Sequence, residues 1–393
     1  MLRSIDIDPQ VKCTSFSTND GTREVFISIS TRECSDLETE LENLSDLYQE
    51  TLNDLGLSEN TLAFSRLFVS DIENQKSTLE QSSLYMSLKR GAFSIVQQPP
   101  IEGGHVSLFS YHIKPDTGSF TKELIDIDAP KGRNSLAITG KHYKMLWTAN
   151  YSGHGPFDAA KQTDEVMSAL VSTIQSHDMT LLDNMIRTWV YVRDIDNHYA
   201  GMVKSRRDLF QEHGLTDKTR YLASTGIEGK FHQPGSLVSV DSLSFGGLHK
   251  GQIVRMKAPE HLSPTIKYGV TFERGLKIIF GDRTRYVISG TASINSNGEL
   301  LYPNDVKKQT ERTLDNIQAL LTPHGANFKD MAYFIVYLRD PKDSTQVQEI
   351  LQKHIPQNIP CIFLHAPVCR PGWLVEIEGL GIKSAKSDFE DFL

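Results

Sequence analysis

VYLRDPKD, at residues 336–343, is an apolar β-rich run that ends at an aspartate and continues into a helical pattern. The same phrase occurs twice earlier in the chain, as VYVRDIDN at 190–197 and as LFVSDIEN at 67–74. Recurrence of this kind is typical of a repeated supersecondary unit. We therefore predict that the chain contains three copies of one structural unit. Its length of 393 residues also indicates more than one hydrophobic core.

Three further elements recur around the last two copies of the phrase. Each copy has a strand with a small-residue turn, then a helix that opens with Lys-Gln-Thr and carries an apolar stripe, and finally a closing strand. They read MLWTANYSG (145–153), KQT (161–163) and LVSVDSL (237–243) in one copy, and RYVISGTAS (285–293), KQT (308–310) and LVEIEGL (374–380) in the next. The recurring order predicts a β-β-α-β-α-β unit.

The first copy is the most divergent, with VFISIS at 25–30 as a strand and HVSLFSYHI at 105–113 as the closing strand. Because strands alternate with helices throughout, we predict an α/β (α+β) fold whose sheets carry helices on one face. The predicted domains are an amino-terminal part at 1–245 with units at about 20–125 and 140–245, a third unit at 246–383, and a polar tail at 384–393 that is expected to fray.

Composition excludes several classes of function. The formal charge of −8 leaves no broad basic surface for nucleic acid or anionic lipid, so an anionic substrate would need a local cluster of arginines. Four cysteines without CxxC spacing, and an amino terminus without an apolar segment, favour a cytoplasmic protein. No apolar run approaches the ~18 residues of a membrane span. The histidines form no HExxH motif and no P-loop is present, so neither a metal nor a cofactor is expected.

Three phrases resemble the RidA (YjgF) family: RYVISGTASI at 285–294, VYLRD at 336–340 and RPGWLVEIEG at 370–379. Members of that family are usually trimers with sites between subunits. The resemblance therefore implies that three fused units form a pseudo-trimer within one chain.

A closer resemblance is to the chorismatases, which contain RidA-like modules. It rests on RTWVYVRDI at 187–195, TRYLASTGIEG at 219–229, ISGTAS at 288–293 and CRPGWLVEIEG at 369–379, and more weakly on QQPPIEGG at 97–104. Chorismatases release pyruvate from chorismate. One branch of the family forms 3-hydroxybenzoate, and another forms a dihydroxycyclohexadiene acid by hydrolysis.

The resemblance implies a catalytic role for Glu376 and Cys369. Glu376 aligns with Ser239 of the second unit, so a carboxylate present in one copy indicates one active site per chain. The family's glutamate here acts as the acid that protonates the enol ether, which requires burial to raise its pKa. A cysteine at 369 resembles the 3-hydroxybenzoate branch and would keep water from the intermediate. The alternatives are that Glu376 and Glu378 face solvent and that Cys369 is a small core residue.

Two carboxylates on the substrate call for guanidinium groups. Arg187 and Arg220 are favoured because they lie in family-like phrases, whereas the pair Arg206 and Arg207 lies in a helical stretch, so that at most one of the two is expected to face the cleft. The remaining predicted substrate-binding residues lie near two glycine turns that allow close backbone approach: Tyr221, Ser224, Thr225, Gly226, Arg283, Arg285, Gly290 and Thr291.

Other readings stay open at this stage. RidA imine deaminases hold an arginine on the strand before the closing strand, and counting back from Glu376 places Cys361 there, which disfavours deamination. Hydrolysis of chorismate and a non-enzymatic ligand sensor are the further alternatives. The only expected partner is a small-molecule substrate, and a monomer or a small homo-oligomer would fit.

Overall fold

The computed structural model describes residues 1–18, 22–32, 34, 36–115, 120–125, 133–231 and 233–393. Three six-stranded sheets, each with helices, account for this part of the chain. They span residues 2–114, 121–246 and 253–384. The division of the chain into units at the predicted boundaries stays a prediction.

The first sheet contains β1 (Leu2–Asp6), β2 (Val11–Ser17), β3 (Arg23–Ser30), β4 (Leu62–Val69), β5 (Ala92–Gln97) and β6 (Val106–Lys114). Its helices are α1 (Leu37–Asp54), α2 (Ile72–Gln81) and α3 (Ser83–Leu88). The strand order is β1-β2-β3-β6-β4-β5, and only the β4–β5 pair is parallel among the described pairings of this sheet.

The second sheet contains β7 (Thr121–Ile125), β8 (Asn134–Thr139), β9 (Lys144–Ser152), β10 (Met185–Val192), β11 (Ala223–Glu228) and β12 (Val238–Gly246), with α4 (Ala159–Gln175) and α5 (Ile195–Glu212). The third contains β13 (Ile253–Met256), β14 (Gly275–Ile279), β15 (Arg283–Ala292), β16 (Met331–Leu338), β17 (Cys361–His365) and β18 (Val375–Ser384), with α6 (Val306–Leu321) and α7 (Ser344–His354). Both sheets have the strand order of the first.

The predicted fold class and its threefold repetition are therefore confirmed. Aspartates cap α1, α4 and α6, the first helix after the third strand of each sheet, and each of these helices lies against the third and closing strands of its own sheet. The glutamine of the Lys-Gln-Thr triplet explains why the triplet recurs. Gln309 bonds the Gly372 carbonyl (3.0 Å) and the Leu374 N–H (2.9 Å), and Gln162 makes the same contacts at Gly235 and Leu237. The triplet thus fixes the turn that enters each closing strand.

The sheet faces opposite these helices meet in a shared core. Phe64 of the first sheet stacks on Trp147 of the second at 4.4 Å, and Trp147 stacks on Trp189 at 5.8 Å. The third sheet contributes Tyr333, which packs on Phe109 at 4.6 Å. Burial of these rings on a common axis holds the three units together without any covalent tie beyond the chain.

Buried ion pairs join the three sheets in a cycle. Arg66 of the first sheet pairs with Asp241 of the second at 2.9 Å, and Arg187 of the second pairs with Glu378 of the third at 2.6 Å. Arg285 of the third sheet pairs with Glu24 of the first, which completes the cycle. Each interface between units thus carries an arginine from one sheet and a carboxylate from the next.

The carboxyl-terminal tail is anchored, contrary to the expectation that it frays. Phe392 is fully buried and packs edge-to-face on Phe280 at 5.0 Å, while the guanidinium of Arg285 lies 4.4 Å from its ring centroid. The polar composition of the last ten residues concealed this single aromatic anchor. None of the helices in the described part of the chain combines the length and the apolarity that crossing a bilayer requires.

Candidate active site

Glu376 lies in β18, between β15 and β16, where it pairs with Ala292 on one side and Tyr337 on the other. The residue is 5% exposed, and Glu378 on the same face is 1% exposed. The face that these carboxylates share is directed at the neighbouring unit and not at solvent. The alternative of a solvated open sheet face is therefore wrong.

Gly290 makes room for the Glu376 carboxyl group. A Cβ atom at position 290 would lie 2.1 Å from Glu376 Oε1 and 2.9 Å from Cδ. Any larger residue would have to displace the carboxyl group, since contacts under 3 Å are repulsive. The glycine of the ISGTAS phrase is thus explained by close approach of the carboxyl group to the β15 backbone.

The environment of Glu376 favours its protonated form. Burial first, and the neighbouring Glu378 carboxylate second, raise the pKa of Glu376 to about 8, against the opposing charges of Arg187 and Arg274. Its carboxyl oxygens hydrogen-bond to no described residue. At neutral pH this group is mostly a carboxylic acid with a proton to give.

Glu378 lies two residues after Glu376 on the same face of β18 and is fully engaged by hydrogen bonds from the second unit. It accepts hydrogen bonds from Arg187 Nη2 (2.6 Å) and Trp189 Nε1 (2.6 Å), and also from the Thr225 hydroxyl. Thr225 accepts in turn from the Gly290 N–H at 3.0 Å. This network joins the second and third units and fixes the backbone against which Glu376 rests.

Cys369 faces the second unit across the same cleft. An antiparallel bridge between Ile227 and Val368, with a bond from the Glu228 N–H to the Pro367 carbonyl (3.1 Å), places the segment before Cys369 along β11. The thiol shares a hydrogen bond with the Tyr199 hydroxyl of α5. Burial, followed by the Glu376 charge, raises the pKa of Cys369 to about 12. Cys369 is therefore a neutral thiol and a poor nucleophile at neutral pH.

Three guanidinium groups line the cleft around Glu376. Arg206 of α5 is 2% exposed and donates to Ser224 Oγ at 3.2 Å. Arg274 donates to the Ser263 carbonyl at 3.1 Å, and Arg370 is the most exposed of the three. The guanidiniums of Arg274 and Arg370 lie 5.3 and 5.1 Å from the ring of Tyr268. This local positive charge can hold an anionic ligand in a chain whose net charge is −8.

A long loop covers this cleft. Residues 257–274 join β13 to β14, whereas residues 7–10 suffice between β1 and β2 of the first sheet. The loop contributes Tyr268, Val270, Phe272 and Arg274 to the cleft lining. With the loop in place, the cleft encloses about 30 Å³, room for little more than water. We call residues 257–274 the cover loop.

Comparisons with known proteins agree with this architecture. The Endoribonuclease L-PSP family model matches residues 280–382. A crystal structure of a chorismatase covers 93% of this chain and all of its own, with a TM-score of 0.61 and 18% identity. The chain is built like a chorismatase. The predicted resemblance to chorismatases on RidA-like modules is confirmed.

Relatives in sequence are distant. The chain is 22% identical over 311 residues to a 3-hydroxybenzoate synthase of Streptomyces hygroscopicus, a match that spans 73% of this chain and 88% of the relative. It is 24% identical over 91 residues to the 3-aminoacrylate deaminase RutC of Acinetobacter baylyi, which covers 23% of this chain and 72% of that protein. The first similarity extends over most of the chain, and the second spans one module.

Five of the predicted site residues line one cleft: Glu376, Cys369, Ser224, Gly226 and Gly290. Arg187 and Thr225 lie directly behind it, where their polar groups bond Glu378. The hydroxyl of Thr291 bonds the Ser289 carbonyl at 2.8 Å. The catalytic and binding roles of the residues in the cleft stay predictions.

Four predicted binding residues lie elsewhere. Arg220 is buried, and its guanidinium donates to the Met185 carbonyl at 2.9 Å, while Tyr221 packs on Phe210. Arg283 and Arg285 both bind Glu24 at the boundary between the third and first sheets. Their guanidinium groups hold the fold together and are not available to a substrate in the Glu376 cleft. Position within a family-like phrase was an insufficient guide, because it does not reveal which partner a buried arginine has.

The sequence interpretation missed Tyr199, Tyr268, Arg274, Arg370 and Trp373, which also line the cleft. Arg370 and Trp373 stand inside the CRPGWLVEIEG phrase beside Cys369, so that proximity could have identified them. Tyr268 and Arg274 belong to the cover loop, whose length was the available signal.

The position expected for a deaminase arginine lies outside the Glu376 cleft. Cys361 pairs with Phe334 and lies in a different cleft, next to the first unit. Ser224 pairs with Thr188, the counterpart of Phe334, so Ser224 occupies the corresponding place in the Glu376 cleft. Neither position holds an arginine, and the argument against deamination stays a prediction.

Proposed function

We propose that this protein is an enzyme that cleaves the enolpyruvyl ether of chorismate to 3-hydroxybenzoate and pyruvate. One observation carries the proposal: a carboxylic acid whose pKa is about 8 lies in a cleft lined by three arginines. Similarity over most of the chain to a 3-hydroxybenzoate synthase supports the same reaction. Expected cellular location is the cytoplasm, and a monomer or small homo-oligomer remains the expected state.

The arginines bind and orient the substrate. Chorismate carries two carboxylates, and Arg206, Arg274 and Arg370 supply guanidinium groups from three different elements of the cleft. Arg206 comes from α5 of the second unit, whereas Glu376 comes from the third. Binding therefore holds the ether across the boundary between units, within reach of the acid.

Glu376 acts as the general acid. Transfer of its proton to the enol ether methylene gives an oxocarbenium ion and leaves Glu376 as a carboxylate, whose negative charge stabilises the cation. Burial and Glu378 keep the proton on Glu376 until the substrate accepts it. Arg187 pairs with Glu378 at 2.6 Å and thereby acts as a positioning residue.

Cys369 keeps water from the oxocarbenium ion. The ring hydroxyl then displaces the side chain internally: its oxygen forms a second bond to the ring as the ring–ether bond breaks, and its proton returns to Glu376. Pyruvate leaves with the ether oxygen as its ketone, and the arene oxide rearomatises to 3-hydroxybenzoate. No water is consumed, so the products together contain the atoms of chorismate.

The test compares two pairs of variants by pyruvate release, coupled to lactate dehydrogenase, and by chromatography of the ring product. Glu376→Gln should lose turnover by roughly 10²–10⁴-fold while Glu102→Gln, at a carboxyl group of another cleft, retains it. Cys369→Ala should shift the product towards the non-aromatic diol acid, and Cys361→Ala should not. Full activity of Glu376→Gln would refute the proposal that Glu376 is the general acid. An unchanged product ratio in Cys369→Ala would refute its role against water, and ammonia release from an enamine would favour a deaminase.

A further inference from the structure

The strand registers show that each pair of neighbouring units forms a cleft from equivalent strand positions. Closing strands align through their partners: Glu376 pairs with Tyr337, Ser239 with Tyr191 and Ser107 with Phe68. The same alignment gives the counterparts of two further cleft residues. Gly290 and Ala292 correspond to Asn150 and Ser152 in the second sheet and to Ser28 and Ser30 in the first.

These clefts have diverged at the position of Gly290. Between the first and second sheets, the counterpart Asn150 reaches across and donates from its amide to the Phe93 carbonyl at 2.8 Å. The side-chain amide of Asn134 bonds the same Phe93 backbone twice. Its oxygen accepts from the Phe93 N–H and its nitrogen donates to the Phe93 carbonyl, each at 2.6 Å. Side-chain amides therefore bridge the strands directly in that cleft.

The cleft between the third and first sheets, which we call the third cleft, encloses more space than the bridged cleft between the first and second sheets, where about 240 Å³ remains beside Asn134 and Asn150. Ser28, the counterpart of Gly290, is too short to bridge it, and the four-residue connection at 7–10 does not cover it. It encloses about 340 Å³, compared with about 30 Å³ in the Glu376 cleft. A volume of this size accommodates a small organic molecule.

The two walls of the third cleft differ in polarity. Leu351 and Ile355 of the α7 region, with Phe363 of β17, form an apolar wall. Ser28 and Ser30 of β3 line the opposite wall, which belongs to the first unit, and both side chains end in a hydroxyl group. Such a pair of walls suits a ring that is apolar on its face and hydroxylated at its edge.

The charged groups of the third cleft favour an anion. Lys12 lies opposite Ser28 on β2, and Arg32 follows β3. Among the described residues that line the third cleft, one carboxyl group accompanies them, that of Glu102, and it is engaged by the Gln348 amide. Two cations and one carboxyl group give this described lining a positive excess in a chain of net charge −8.

We propose that the third cleft is a second, non-catalytic binding site for a small ring carboxylate bearing hydroxyl groups. The cleft stands on its own geometry, while this ligand class, shared by the substrate and the aromatic product, rests on the proposed function. Ser107 occupies the position of Glu376, so the ligand binds there without protonation of an enol ether. Occupancy at the boundary of the third and first units makes this a site for sensing substrate or product.

The register supplies a matched pair of blocking variants, Ser30→Trp in the third cleft and Ala292→Trp in the Glu376 cleft. Equilibrium dialysis of the full chain with radiolabelled 3-hydroxybenzoate should give two molecules bound per wild-type chain and one per chain in either variant. In the Ala292→Trp background, Lys12→Gln should weaken the remaining site about tenfold, because a charge-assisted contact is lost. This charge variant also tests the site if Ser30→Trp fails to fold.

Two results would overturn the proposal. In the first, the Ser30→Trp variant still binds two molecules of 3-hydroxybenzoate per chain. In the second, the wild-type chain binds one molecule and Ala292→Trp abolishes that binding. Failure of the proposed function looks different. In that case wild-type protein releases no pyruvate, yet Ser30→Trp and Lys12→Gln still remove or weaken 3-hydroxybenzoate binding. Ser30→Trp should keep pyruvate release within about twofold of wild type at saturating substrate, which separates the two clefts.

Discussion

At the scale of single residues, the decisive feature is a carboxyl group stored in its protonated form. Glu376 is buried beside a second carboxylate that is permanently paired with Arg187. Burial and like charge act in the same direction on its pKa, so the acid needs no metal or histidine partner to hold a proton at neutral pH. The proposed role of Glu376 as the acid is consequently linked to a cost in stability.

Replacing Glu376 with glutamine should therefore stabilise the protein as the pH rises. The pKa of Glu376 is about 8 in the folded chain and near its usual value of 4.5 when unfolded. Between these values the unfolded state loses a proton that the folded state keeps, so wild-type stability falls by up to about 1.4 kcal/mol per pH unit.

Thermal unfolding from pH 5 to 8 measures this difference. The melting temperature of Glu376→Gln should exceed that of wild type by a margin that widens with pH and levels off above pH 8. Equal melting temperatures at every pH would contradict the raised pKa. The same group sets the activity profile, and turnover should decline as the pH rises through about 8.

Gly290→Ala tests the close approach of the carboxyl group. The added methyl group would lie 2.1 Å from Glu376 Oε1, so the carboxyl group must move by about 1 Å and lose its alignment with the substrate. We expect a fall in kcat of roughly 10²-fold with the fold intact by circular dichroism. Ser28→Ala, at the corresponding place in the third cleft, is the control and should leave kcat unchanged.

At the scale of elements, the sequence indicated the strands and helices but not the cover loop. The VYLRD-like phrases identify strands because a strand that is buried on both faces consists of a continuous apolar run. The corresponding strand is buried in each unit, so the run recurs. The cover loop is much longer than the corresponding connections at 7–10 and 126–133, so repetition could not predict it. Its Tyr268 and Arg274 reach residues far away in the chain, and such contacts leave no local pattern.

On the proposed function, the cover loop has to open for chorismate to enter. The cleft encloses about 30 Å³, too little for a ten-carbon acid, and the guanidinium of Arg370 lies 5.1 Å from the ring of Tyr268 in the cover loop. In hydrogen-exchange mass spectrometry of Glu376→Gln, we expect peptides from 264–272 to exchange quickly and to slow at least fivefold when chorismate is added. Peptides from β4 serve as the control and should not change. Equal exchange with and without chorismate would show that the loop is no gate.

At the scale of the whole molecule, three interfaces between units define both the fold and the site. Repetition of a phrase predicted three similar units, and the sheets confirm it. Which side chains meet across the interfaces could not be predicted, since that depends on how the units are rotated about their common axis. Arg187 and Arg285 illustrate this point: both were expected to bind substrate, and both are fixed by carboxylates of a neighbouring unit.

The ion-pair cycle predicts a strong asymmetry between single and double substitutions. Arg66→Met leaves Asp241 buried without its cation and should destabilise the protein by about 3–5 kcal/mol. Adding Asp241→Leu should recover most of this loss, because an apolar pair avoids the desolvation cost. Chemical denaturation measures both, with the exposed pair Lys204–Asp208 as a control whose disruption should leave stability nearly unchanged, because solvent screens it. Additive losses in the double variant would contradict the pairing.

The most direct test of the central claim is incubation of the purified full chain with chorismate, followed by quantification of pyruvate and of the ring product. The inter-unit cleft around Glu376 and Cys369 predicts pyruvate and 3-hydroxybenzoate in equal amounts, with no oxygen from labelled water in the aromatic product. Pyruvate with a non-aromatic diol that carries labelled oxygen would contradict the role of Cys369. Absence of pyruvate would contradict the account of the site as a whole.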